Sequence, residues 1–169
     1  GNRVVVVGTY AFTFSFAGRT HTASPNGDLL QDAFIAAFTR EGEERWAWNF
    51  GFNVEDVAMD EKDGVVVAGS YEGGSSDLGV LGALPGNPAT LANVYVAKFD
   101  RIRGGLLWSR GFTSSGADRG SPGLEDASVA VQKDGRSAVL GEFSGGLAAG
   151  STTLEAQGRT DLFLLGFER

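Results

Sequence analysis

Residues 4–10 read VVVVGTY, residues 65–71 read VVVAGSY, and residues 138–143 read AVLGEF. Anchored on Gly8, Gly69 and Gly141, these phrases stand 61 and 72 residues apart, and each glycine is soon followed by an aromatic, Tyr10, Tyr71 or Phe143. One strand and one turn explain a single copy. Three copies in similar company require a repeating architecture.

That company is explicit. DAFIAAF (32–38), NVYVAKF (93–99) and TDLFLLGF (160–167) form a second shared phrase, matching Phe34/Phe38, Tyr95/Phe99 and Phe163/Phe167. WNFGF (48–52) and WSRGF (108–112) form a third, which sets Trp48 and Trp108 at equivalent positions. VAMDEKDG (57–64) and VAVQKDG (129–135) form a fourth, each running directly into the next VVV or AVL strand. One unit therefore reads as four short β segments rich in Val, Phe, Tyr and Trp. The first two join at Asp-Gly, a strong hairpin signal between β-branched runs. In GTYAFTFSFAG, Tyr10, Phe12, Phe14 and Phe16 alternate with small or polar residues. A strand uses that period of two and a helix cannot. No ten-residue stretch carries helical periodicity, so the expected fold class is all-β.

With the segments labelled A (VAV), B (VVVxG), C (VYVAKF) and D (the Trp strand), the chain runs B-C-D, A-B-C-D, A-B-C. Repeated four-stranded antiparallel sheets with two apolar faces predict a partial β-propeller of about two and a half blades. The blades are residues 1–53 (partial), 54–123 (complete) and 124–169 (partial). The repeat is longer than the roughly 40–50 residues usual for propeller units. The excess falls at 17–31, 72–92 and 144–160, Gly-, Ser-, Thr- and Pro-rich stretches expected to emerge as inserts on one side of the disc. The terminal blades, carrying Phe12, Phe14, Phe163 and Phe167, are expected to turn apolar faces to water, so further blades of a longer chain or other subunits are expected as partners.

Composition narrows the function classes. A chain of 169 residues with 42% hydrophobic residues supports one domain with a core. Its 26 glycines fit many tight turns. A net charge of -7 repels phosphate backbones and anionic membranes, which argues against nucleic acid as a partner. The absence of cysteine removes disulfides, thiolate nucleophiles and Cys-ligated zinc. No apolar run approaches the roughly 20 residues that cross a bilayer, and no stretch reads as a signal peptide. The chain opens on Gly1 and its one methionine is Met59, so the expectation is a portion of a longer polypeptide.

The phrases GEFSGGLAAGSTTLEAQGRTDLFLLGFER, VYVAKFD, LLWSRGF and DASVAVQKDG together resemble the bacterial β-propeller repeat. That repeat is common in long secreted or surface proteins, especially of myxobacteria and their relatives. The resemblance covers nearly the whole chain and implies a propeller fold and an extracellular or cell-envelope location. It carries little guidance on activity, and the inserts at 18–31 and 77–92 are longer and less regular than the family pattern.

Side chains that could do chemistry are few. There is no G-x-S-x-G elbow, phosphate-binding GxxxxGK[ST] loop, HExxH or GxGxxG. His21 is the only histidine, and a triad with Ser24 and Asp28 competes with an exposed loop histidine. Glu55, Asp56, Asp60, Glu61 and Asp63 offer paired carboxylates of glycosidase type, against which stands a solvated strand edge that discourages edge pairing. Asn26, Asp28 and Asp32 supply hard oxygen ligands suited to calcium, against ordinary Asn-Gly-Asp turn chemistry, which is favoured here. Trp46, Trp48 and Trp108 could stack on sugars, but their place in the repeat makes them packing residues first. In the irregular stretch 115–126, Asp118 and Arg119 are read as candidates to pair within the loop, with no binding role assigned. No residue is assigned a catalytic, cofactor-binding or metal role, and no cofactor is expected. The expected function is a non-enzymatic extracellular or cell-envelope module that binds protein or glycan through its inserts. The alternatives are a carbohydrate-binding propeller and a propeller hydrolase or lyase completed by other blades or chains.

Overall fold

A computed structural model describes residues 3–16, 19–22, 31–50, 53–61, 64–71, 79–86, 93–115 and 127–168. Within them the chain is all-β, built of several antiparallel sheets, none of which closes on itself.

The first sheet has the order β1 (Arg3–Ala11), β4 (Gln31–Thr39), β5 (Glu44–Phe50). Between its first two members lies a separate hairpin, β2 (Thr13–Phe16) and β3 (Arg19–Thr22). The period-two alternation runs on from β1 into β2, yet the chain bends at Phe12, whose φ is 65°. That left-handed conformation is unusual for an aromatic residue and takes β2 out of the first sheet.

The central sheet runs β6 (Asp56–Met59), β7 (Gly64–Tyr71), β8 (Asn93–Asp100), β9 (Leu106–Ser114). The third sheet is β10 (Ser128–Val131), β11 (Ser137–Phe143), β14 (Asp161–Phe167). These ten strands follow the B-C-D, A-B-C-D, A-B-C order read from the repeat. A hairpin was not expected within the third unit: β12 (Gly146–Ala149) and β13 (Thr152–Glu155). It adds to the outer edge of the central sheet, where Leu147 pairs with Ser114 and Ala148 with Thr113, extending that sheet to six strands.

The repeated glycine has a steric cause. Gly8, Gly69 and Gly141 stand directly opposite Phe34, Tyr95 and Phe163 on the neighbouring strand. A Cβ on Gly8 would come within 2.9 Å of the Phe34 ring. On Gly69 it would meet the Tyr95 ring at 2.8 Å and the Asn53 carbonyl oxygen at 2.2 Å. Glycine thus lets the aromatic ring of strand C lie over strand B.

The run VVVA in β7 is continuous rather than alternating because both of its faces are covered. Val65 and Val67 join Tyr95 and Phe99 in a core with Ala33, Ile35, Ala37 and Trp46 of the first sheet. Val66 and Ala68 join Val94 and Val96 in a second core with Val139, Phe143 and Phe163 of the third. Each fully buried valine contributes about 1.5–3 kcal/mol relative to exposure. The central sheet is therefore held on two sides by apolar contact, with 3₁₀ residues Gly79–Leu81 and Leu84 closing the first seam from the insert of its own unit.

Candidate functional site

The acidic run of the second unit works as a fastener. The Glu55 carboxylate accepts the Ser70 hydroxyl at 2.8 Å through one oxygen and the Ala127 backbone N–H at 2.7 Å through the other. Asp56 likewise divides its oxygens, accepting from the N–H of Val57 and from that of Val129, both at 2.8 Å. Ala127 and Val129 belong to the approach and body of β10, an edge strand whose outward N–H groups would otherwise face the seam unpaired. Ionised acceptors make such bonds short and strong.

Asp60 is buried. Its carboxylate meets the Lys98 ammonium at 2.9 Å and accepts the Gly64 N–H at 2.7 Å. The same ammonium donates to the Gly135 carbonyl, 3.4 Å away in the turn between β10 and β11. Glu61 alone behaves as a surface group, paired with exposed Lys133 at 3.2 Å. The expectation of a solvated strand edge is therefore corrected for Glu55, Asp56 and Asp60. The physical reason is the third sheet, which covers this edge from more than seventy residues further along the chain. Asp63 lies outside the described residues. The Glu55 charge also acts on its neighbour: burial first, then this carboxylate, pushes the Tyr95 hydroxyl well above its ordinary pKa.

The tryptophans hold sheets together, but their correspondence differs from that of the WNFGF and WSRGF phrases. Both outer strands carry a register shift at one place, between Ala37 and Phe38 and between Lys98 and Phe99. Beside that shift Trp46 pairs with Ala37 and Trp108 with Lys98, so Trp46 is the counterpart of Trp108, and Trp48 is the counterpart of Arg110. The contacts agree. Trp46 stacks on Phe99 of the next sheet at 6.4 Å and Trp108 stacks on Phe167 of the next at 5.6 Å. Trp46 and Trp48 also donate their indole N–H groups to the Arg101 and Gly104 carbonyls, at 2.9 and 2.6 Å. Arg3 donates to the carbonyls of Arg101 and Ile102. The β8–β9 turn is thereby latched to the first sheet. Gly104 permits this at φ 71°, with Trp46 ring carbons 2.5 Å from where a Cβ would stand.

His21 sits half-buried on β3, stacked on Phe14 at 5.8 Å. Phe14 in turn stacks on Phe34 at 5.0 Å and lies 5.4 Å from Tyr10. The β2–β3 hairpin thus lays an aromatic cluster on the outer face of the first sheet. Asp32 is buried opposite Tyr10, whose hydroxyl is raised in pKa by burial and then by the Asp32 charge. Ser24, Asn26 and Asp28, the other members of the proposed trio and calcium loop, lie outside the described residues, as do Asp118 and Arg119. Among the described residues no three His, Asp or Glu side chains gather as a metal site.

The exposed apolar residues are not those expected. Phe12 is exposed, but Phe14 packs in the aromatic cluster, Phe163 is buried, and Phe167 lies against Trp108 and Phe112. The inner face of the third sheet takes up Phe163 and Phe167, and the β2–β3 hairpin holds Phe14 against Phe34. What meets solvent on the outer faces is Val4 and Val6 of the first sheet, 53% and 41% exposed, and Leu140, Leu162 and Leu164 of the third, 45%, 62% and 71% exposed.

No protein-family model matches the chain, and no curated protein matches it.

Proposed function

We propose that the chain is a segment of a β-propeller that serves as a non-enzymatic extracellular or cell-envelope module, contacting protein or glycan through its inserts. The observation that carries this reading is the way three antiparallel sheets meet face to face through equivalent contacts, Trp46 on Phe99 and Trp108 on Phe167. Each sheet then acts as a blade, and each insert joins the same pair of strands, from the end of B to the start of C. A non-enzymatic role is supported by the occupation of the chemically capable side chains. Glu55, Asp56, Asp60 and Lys98 are spent on bonds between sheets. The location rests on the resemblance to secreted and surface repeat proteins.

The test is a glycan microarray together with an overlay on cell-envelope proteins. It uses the chain and a variant in which Thr22, residues 87–90 and Arg159, one site in each insert, become Gly or Ser. Binding that the variant loses, with an unchanged circular dichroism spectrum, supports the reading. Turnover of chromogenic glycosides or esters overturns it, as does binding that survives the exchange.

A further inference from the structure

The hairpins β2–β3 and β12–β13 are the same element in two units. Each opens five residues after the repeated glycine, at Thr13 after Gly8 and at Gly146 after Gly141. Their registers match pair for pair: Phe14 faces His21 as Leu147 faces Leu154, and Ser15 faces Thr20 as Ala148 faces Thr153. The residue before each hairpin, Phe12 or Gly145, has a φ of 65°. The ring pairs beside them agree as well. Tyr10 and Phe34 lie 6.4 Å apart at 59°, and Phe143 and Phe163 lie 6.3 Å apart at 60°.

Their outer edges differ. On that side β12 is paired with the end of β9, where the Ser115 N–H donates to the Gly146 carbonyl at 2.7 Å and the Gly146 N–H donates to the Ser115 hydroxyl. Among the described residues β2 pairs with β3 alone. Burial follows the pairing. Gly146 and Leu147 are buried, whereas Thr13 is exposed and Phe14 only half-buried. Alternate residues of β12 turn their backbone groups toward β9, so by position those of Thr13 and Ser15 form an open edge on β2.

Resting on the reading of the sheets as stacked repeats, we propose that the β2 edge takes the end of an outer strand of the β9 kind, antiparallel, as β12 takes β9. Main-chain bonds supply the attachment, and side chains select the strand. β9 brings Phe112 into the core that holds Leu147, so the occupant carries an aromatic residue there to meet Phe14. A Cβ on Gly146 would stand 2.9 Å from the Ser115 hydroxyl, and Thr13 has that Cβ. The strand that fits β2 therefore carries glycine where β9 carries Ser115, which gives the pattern Phe-Thr-Ser-Gly.

The probe is a synthetic peptide of residues 106–115 with Ser115→Gly, added in millimolar excess to the unmodified chain. Amide exchange at Ser15 is expected to slow by about tenfold or more. The same peptide N-methylated at that glycine lacks the N–H that bonds the Thr13 carbonyl, and is expected to have no effect. The parent peptide with Ser115 is expected to bind more weakly. No slowing at Ser15, slowing that survives N-methylation, or a preference for the serine peptide would overturn the proposal. So would slow exchange at Ser15 that grows with protein concentration before any peptide is added, which makes the β2 edge of a second copy the occupant. Exchange at Val66 and Val67, read in the same experiment, reports on the stacked sheets. Protection there without a response at Ser15 sinks only the strand addition, whereas rapid exchange there sinks the stacked-sheet reading with it.

Discussion

Lys98 and Asp60 form an ion pair at 2.9 Å with side chains only 8% and 2% exposed, and neither residue is on the sheet that the pair helps to hold. Asp60 follows β6, Lys98 lies in β8, and the ammonium reaches the Gly135 carbonyl of the third sheet. Removing one partner leaves a buried charge uncompensated, which costs about 3–5 kcal/mol, whereas replacing both is far milder. Lys98→Met and Asp60→Asn are each expected to lower urea-unfolding stability by about that amount. The double variant is expected to recover most of the loss, and strictly additive costs would refute the coupling.

The glycine of the repeated phrase is tested by a single methyl group. Gly69→Ala places a Cβ against the Asn53 carbonyl and the Tyr95 ring, and overpacking of this kind costs about 1–3 kcal/mol. Gly158→Ala, where the nearest atom is 3.9 Å away, is expected within about 0.5 kcal/mol of the unmodified chain. Thermal melts of the two variants side by side decide the matter.

Glu55 and Asp56 act on specific amides. Glu55→Gln and Asp56→Asn keep the shape and remove the charge, so hydrogen exchange at Ala127 and Val129, respectively, is expected to accelerate. Exchange at Leu164, in a strand neither carboxylate touches, serves as the control. Equal acceleration at all three sites would point to general loosening instead.

Alkaline pH is expected to loosen the fold through its buried tyrosines. Burial pushes the Tyr71 hydroxyl up to about 12, and Tyr95 is also raised well above 10.0. A phenol with a raised pKa is held neutral by the fold. Its contribution is complete below about pH 10, the pKa of an unfolded tyrosine, and falls as pH rises toward 12, because only the unfolded chain ionises there. Chemical denaturation at stepped pH is expected to show that decline. Tyr71→Phe is expected to flatten it while costing about 1 kcal/mol at neutral pH for the lost bond to the Pro85 carbonyl.

Strand existence and order were legible because valine runs, Asp-Gly turns and recurring Gly-aromatic phrases are local signals. The partners of Glu55, Asp56 and Asp60 were not legible, since their burial depends on a sheet formed much later in the chain. The Trp48–Trp108 match failed for a related reason. Both outer strands carry the same register shift, but the β8–β9 connection is one residue longer, Phe99 pairing with Leu106 where Phe38 pairs with Glu44, and nothing in WNFGF or WSRGF announces that. The β12–β13 hairpin was read as an insert, but its addition to β9 joins residues over thirty positions apart and follows from no pattern in either segment.

That hairpin changes how the molecule yields to force. Besides its two paired residues on β9, the Gly146 N–H donates to the Ser115 hydroxyl at 2.7 Å, and the Ser114 hydroxyl donates to the Ser144 carbonyl at 3.1 Å. Sheets joined by apolar faces alone can be peeled apart one at a time under tension. Here a loop of the third unit is sewn into the edge of the second, so the two share the load, and a chain stretched from its ends should release them together in one rupture.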